Sequence, residues 1–259
     1  MTGNQNFTLS TSQLNEFQQT GFLFMPHFFD EAEIKKVSQA IETLAQQPPA
    51  ECVGKQMVYF EDSVIASKGR VLSRIEKFIE YDEVLRGLTE DERLIQVLNQ
   101  LLGEEAILFK EKVNFKLPGG RGFEPHQDIQ PGWDDYANYF MSVLVTIDPS
   151  TPENGCLELA SGHHKQGLIG ERWKPLTQEQ LEGIQFVKYP SEPGDVIFFD
   201  CFVPHQSAPN LTDKPRRNLY LTYNRKSQGD HRLQYYADKR KAFPPDFERE
   251  SGKEYHFKV

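Results

Sequence analysis

The spacing of apolar positions changes near residue 103. Before it, the period is helical. Ser10 or Ser12 caps a short helix running through Gln19. Asp30 is a good N-cap for a helix over Glu31 to Gln47, with Glu33 completing a capping box. Its apolar residues Ile34, Val37, Ile41 and Leu44 step by three and four and so share one face, and Pro48-Pro49 stops it. Residues 82–102 give a helical pair, with Val84, Leu85 and Leu88 on the first and Leu94, Val97, Leu98 and Leu101 on the second. Gly103 follows as a C-cap. After Gly103 the period becomes two. Short strands are predicted over Ile107 to Lys116, Tyr139 to Ile147, Cys156 to Ala160, Phe186 to Tyr189, Val196 to Phe199 and Asn218 to Tyr223. Pro, Gly and Asp turns separate them, the pattern of an all-β barrel or sandwich. Tyr235 to Phe243 returns to helix before Pro244-Pro245. The expected organisation is one domain over 1–259. It has a helical N-terminal part (10–103), a β core (about 104–225) and a C-terminal extension (226–259).

Composition narrows the class. The chain has 259 residues, enough to bury a core without staples. The net charge of −9 argues against nucleic acid as the main partner. Three widely spaced cysteines (Cys52, Cys156, Cys201) with no CxxC fit a reducing compartment rather than a disulfide framework. No apolar run reaches the ~18 residues of a membrane span, and residues 1–9 lack a basic leader. A cytoplasmic protein without membrane attachment is expected, as a monomer or small homo-oligomer.

Candidate chemistry centres on Pro125-His126-Gln127-Asp128. In a strand, residues i and i+2 share a face, so His126 and Asp128 can converge on one cation. His205 lies 79 residues later and supplies a third donor. Two His and one carboxylate form the facial triad of non-haem Fe(II) oxygenases, leaving open positions for a chelating co-substrate and O2. Arg216 stands 11 residues beyond His205. If His205 ends one strand and Asn218 begins the next, Arg216 folds back beside the metal and can fork a carboxylate. Arg217 then projects to the opposite face.

His126-x-Asp128, Asn154-Gly155-Cys156-Leu157, Ser161-Gly162-His163-His164-Lys165, Pro193-Gly194-Asp195 and the His205/Arg216 pair together resemble the phytanoyl-CoA dioxygenase family of Fe(II)/2-oxoglutarate oxygenases. The resemblance spans roughly residues 12–225. It implies a double-stranded β-helix (a jelly-roll, cupin-like core), iron and 2-oxoglutarate. It makes His126, Asp128 and His205 the metal ligands and Arg216 the co-substrate's carboxylate clamp, with Lys116 a polar contact to the keto acid. It also implies hydroxylation of an unactivated C–H, with 2-oxoglutarate decarboxylated to succinate. Relatives that halogenate lack the carboxylate; Asp128 is present.

The substrate is expected to be small and polar or zwitterionic. The loop Trp133 to Tyr139 follows the His-x-Asp motif and offers aromatic faces, carboxylates and an amide. Asn114, Gln127, Trp133 and Tyr139 are the candidate contacts, and Lys112, Arg121 and Arg225 the counterpart for an anion. The segments Phe109 to Lys116 and Pro215 to Asn218 are similar to aminoalkylphosphonate hydroxylases; an amino acid or natural product stays open. His27, His231 and His256 have no partner at ligand spacing. His163 and His164 are adjacent, point apart on an extended segment and read as structural. Two other classes compete. A zinc hydrolase using the same triad has no call for Arg216. A non-catalytic cupin-like binding protein predicts a lost ligand, and none is lost.

Overall fold

The computed structural model describes residues 7–255. Local signals set the helices. Ser10 and Gln13 form a capping box for α1 (Thr11–Thr20), which ends at Gly21 with φ 86°. Asp30 and Glu33 form a second box at the start of α2 (Glu31–Gln46). Between them lies β1 (Phe22–Met25). After α2 come β2 (Met57–Asp62) and β3 (Arg70–Glu76), then α3 (Glu83–Thr89) and α4 (Glu92–Leu102). Asp82 caps α3 and Asp91 caps α4. The remaining strands are β4 (Ala106–Lys116), β5 (Phe123–His126), β6 (Phe140–Thr146), β7 (Leu157–Leu159), β8 (Val187–Tyr189), β9 (Val196–Asp200), β10 (His205–Ser207) and β11 (Arg216–Arg225). They are followed by α5 (Arg232–Ala242).

Two antiparallel sheets result. The larger has the order β1-β9-β6-β11-β4-β3-β2, the smaller β5-β10-β7-β8. Leu144, Ile197 and Phe199 of the larger sheet meet Leu157 and Leu159 of the smaller in one buried cluster. This is the expected jelly-roll core. The larger sheet's other face packs under the helices through Ile41, Leu44, Leu94, Leu98, Val113, Leu219 and Leu221. Its central strands are covered on both faces, and every residue of β6 is buried.

Three expectations are corrected. The N-terminal part is helical in the main but not throughout, because β1, β2 and β3 all join the larger sheet. β3 hid because Arg70, Ser73, Arg74 and Glu76 break the apolar alternation that marks a strand. His205 opens β10 rather than ending a strand, and β11 begins at Arg216, two residues earlier than expected. His163 and His164 sit on a 3-10 turn, not an extended segment.

Candidate active site

His126 closes β5 and His205 opens β10; they are cross-strand partners with ring centroids 4.2 Å apart. The strand stops there. Asp128 reaches the same point through a turn closed by Gln130 N–H donating to Gln127 O (3.0 Å), not through the strand's two-residue period. Asp128 Oδ1 lies 3.8 Å from His205 Nε2, and Ser142 donates to Asp128 Oδ2. His126 Nδ1 donates to Glu124 O (2.7 Å) and His205 Nδ1 to Val203 O (3.0 Å). Both Nε2 lone pairs are thereby aimed inward. One donor atom from each of the three residues falls within 4.8 Å of the others. Burial, then the facing His205, pushes His126 down to about 3, and burial lowers His205 too. Burial alone would raise the Asp128 carboxyl, but His205, Lys112 and His126 hold it low. Two neutral imidazoles and a carboxylate are the ligand states a divalent cation needs.

A second cluster lies further along the same sheet face. Arg216 and Lys116 are cross-strand partners on β11 and β4, both buried. Lys116 Nζ donates to Ser207 Oγ (2.7 Å), Ala208 O (2.6 Å) and Gly155 O (3.2 Å), and Arg216 Nη2 donates to Gly155 O (2.6 Å). Among the described residues no carboxylate pairs with either. Arg216 Nε and Asn114 Oδ1 are buried without a hydrogen-bond partner. Burial, then Arg216, pushes Lys116 down to about 6. The buried Arg216 cation, its orphaned N–H and an adjacent amine that a bound carboxylate would favour in its charged form fit a carboxylate ligand, which makes 2-oxoglutarate compatible with this corner. Gly155 must be glycine: its φ is 76°, and a Cβ would stand 1.9 Å from Ala208 O. Arg217 points the other way, onto Asp148 (2.7 Å) and Ser38 (2.9 Å).

A cavity of about 260 Å³ opens beside His126 and Asp128. The strand register decides what lines it. Glu76 pairs with Lys112 and Lys112 with Tyr220, while Thr222 pairs with both Lys110 and Ser142, so these residues share the face that carries Arg216. Lys110 and Lys112 reach the cavity without a hydrogen bond or ion pair among the described residues; Lys110 Nζ lies 5.0 Å from the Trp133 ring centroid. Arg74 and Lys239 line it too, both held by Glu76 (3.0 and 2.6 Å). A wider groove of about 850 Å³ also borders His126, sharing Arg74, Phe123 and Trp173 with the cavity.

Of the four expected substrate contacts, Trp133 lines the cavity and Asn114 sits between it and Arg216 on the same face. Gln127 and Tyr139 do not line it. The Gln127 amide ties the 167–169 loop down, donating to Gly167 O (2.8 Å) and accepting from Ile169 N–H (2.7 Å). Tyr139 donates to Asp200 (2.8 Å). Among the basic candidates only Lys112 faces the cavity; Arg121 borders the wider groove and Arg225 donates to Leu102 O. His27, His163, His164 and His231 stand apart from the triad, and His256 lies outside the described residues.

The phytanoyl-CoA dioxygenase family model matches residues 17–218. The chain belongs to that family. A 2-aminoethylphosphonate dioxygenase from uncultured bacterium HF130_AEPn_1 is 37% identical, with 94% of this chain and 92% of that protein aligned. A methylphosphonate hydroxylase from Gimesia maris is also 37% identical, covering 92% of this chain and 89% of that protein. The crystal structure of EctD from S. alaskensis with 2-oxoglutarate and 5-hydroxyectoine superposes with a TM-score of 0.73 at 26% identity. That match covers 88% of this chain and 80% of the other. The protein is an iron- and 2-oxoglutarate-dependent dioxygenase with a jelly-roll core, as the motifs implied. Among the described residues, no helix is long and apolar enough to cross a membrane.

Proposed function

We propose that this dioxygenase hydroxylates a small organophosphonate. His126, Asp128 and His205 hold the iron, Arg216 and Lys116 take the distal carboxylate of 2-oxoglutarate, and Lys110 and Lys112 receive the phosphonate oxygens. The observation that carries the substrate is the pair Lys110 and Lys112, one buried and one half-buried amine without a carboxylate partner in a cavity bordered by two of the metal-ligand candidates. A tetrahedral dianion offers them acceptors and charge together. The two relatives named for phosphonates support the same reading.

When bound, iron with 2-oxoglutarate and O2 supplies the oxidation of a C–H bond, leaving succinate and CO2. The chain's own part is positional. Ser142 and the two backbone carbonyls fix the ligand side chains, and Arg216 orients the co-substrate against Gly155. The lysines hold the anion near the triad, and the tied-down 167–176 loop brings Trp173 to the cavity wall.

The test is substrate-coupled succinate formation with methylphosphonate, 2-aminoethylphosphonate and ectoine, in wild type and Lys112→Met. A phosphonate should drive turnover, and Lys112→Met should raise its KM at least tenfold while 2-oxoglutarate binding is kept. Turnover with ectoine and with neither phosphonate would refute the assignment.

A further inference from the structure

We infer that the substrate's tail carries no positive charge, so that the enzyme prefers an amine-free alkylphosphonate over an aminoalkylphosphonate. The inference rests on the phosphonate reading above and concerns the other end of the molecule. An ammonium group needs an uncommitted carboxylate or an open aromatic face. The cavity has four carboxylates; the two beside the metal and the lysines are committed, and the two at the rim already accept hydrogen bonds. Glu76 is fully buried and takes Lys239 Nζ on both oxygens (2.6 Å each) with Arg74 Nε on one (3.0 Å). Asp128 belongs to the metal set. Asp135, on the exposed rim, pairs with Arg172 (2.9 Å). Asp238 accepts from Tyr136 Oη (2.9 Å) and the Gln234 amide (2.9 Å).

Four of the cavity's six aromatic rings already face a protein cation. Lys110 Nζ stands 5.0 Å from the Trp133 ring and 5.2 Å from Tyr235, and Lys239 lies 5.8 Å from the same Tyr235. Lys112 faces Phe123 at 5.9 Å, and Arg249 faces Phe243 at 4.7 Å. With Lys110 and Lys112 paired to the phosphonate, a tail amine would still meet Arg74 and Lys239, two cations that the single Glu76 carboxylate neutralises only in part. Like charges at these separations repel by several-fold to more than tenfold in affinity even when screened. An alkyl tail can pack on the ring carbons and Ala242 that line the same cavity.

The decisive pair is 2-aminoethylphosphonate and propylphosphonate, which match in heavy-atom count and differ in tail charge. Succinate release gives kcat/KM. Calorimetry on the anaerobic Ni(II)- and 2-oxoglutarate-loaded enzyme gives affinity independently of turnover. Propylphosphonate should lead by at least tenfold in both, about 1.4 kcal/mol, and Lys239→Gln should shrink the gap at least threefold. Equal or better use of 2-aminoethylphosphonate overturns the inference and leaves the phosphonate reading intact. If neither compound binds, the phosphonate reading falls and takes this one with it.

Discussion

The two faces of β4 and β11 show how one pair of strands does two jobs. On the outer face Val113, Phe115, Leu219 and Leu221 pack against the helices. On the inner face, one residue away each time, stand Lys110, Lys112, Asn114 and Lys116 opposite Thr222, Tyr220, Asn218 and Arg216. Both faces are buried, so burial does not separate them; chemistry does. A strand covered on both sides ordinarily reads apolar throughout. These two strands keep a polar residue at every second position, buried except for the half-buried Lys112 and Tyr220, and so depart from that pattern. Arg216 and Arg217 compress the contrast into one step: the first has no carboxylate partner among the described residues, the second is clamped to Asp148.

The largest expected effect breaks that pair. Arg216→Ala should raise the 2-oxoglutarate KM by at least thirtyfold with metal content unchanged, since losing one partner of a buried charged pair costs ~2–5 kcal/mol. Arg217→Ala should leave that KM within about threefold. Steady-state kinetics with metal analysis decides. The reverse ranking would mean the inner and outer faces had been exchanged.

The outer face answers a different measurement. Leu221 is fully buried beneath the helices. Leu221→Ala should remove ~2–5 kcal/mol of stability in denaturant unfolding, with both KM values within about twofold of wild type. A selective loss of substrate binding at unchanged stability would contradict the division.

The smallest effect sharpens the inner face. Burial, then Lys110, pushes Lys112 down to about 8. Lys112 carries its charge below that pH and loses it above, so the phosphonate KM should climb several-fold between pH 7.5 and 9. Lys112→Arg, which stays charged throughout, should flatten that rise. A wild-type KM that is flat or falling across this range speaks against Lys112 as the anion's partner.

Much of this was readable from residues alone. The capping boxes at Ser10 and Asp30 and the period-two runs of the core carry local signals, and the structure realises them nearly residue for residue. His126, Asp128 and His205 were nameable from spacing, although Asp128 arrives by a turn that no periodicity describes. Lys110, Arg74, Glu76 and Lys239 went unread for a physical reason. They come from three distant segments, and only sheet register and the docking of α5 bring them together. The one local clue was the alternation of Lys110, Lys112, Asn114 and Lys116 along a core strand. Gln127 and Tyr139 misled because polar residues beside a ligand look the same in sequence whether they face the site or brace the loop behind it.

The carboxylate of Glu76 joins an early hairpin to the last long helix through Lys239. That helix begins at Arg232, past the end of the family-matched segment at residue 218. The metal-ligand candidates and most of the cavity wall thus lie within the matched segment, while Tyr235, Asp238, Lys239 and Ala242 reach the cavity from beyond it. Substitutions on α5 would therefore reshape one wall of the cavity without touching His126, Asp128, His205, Arg216 or Lys116.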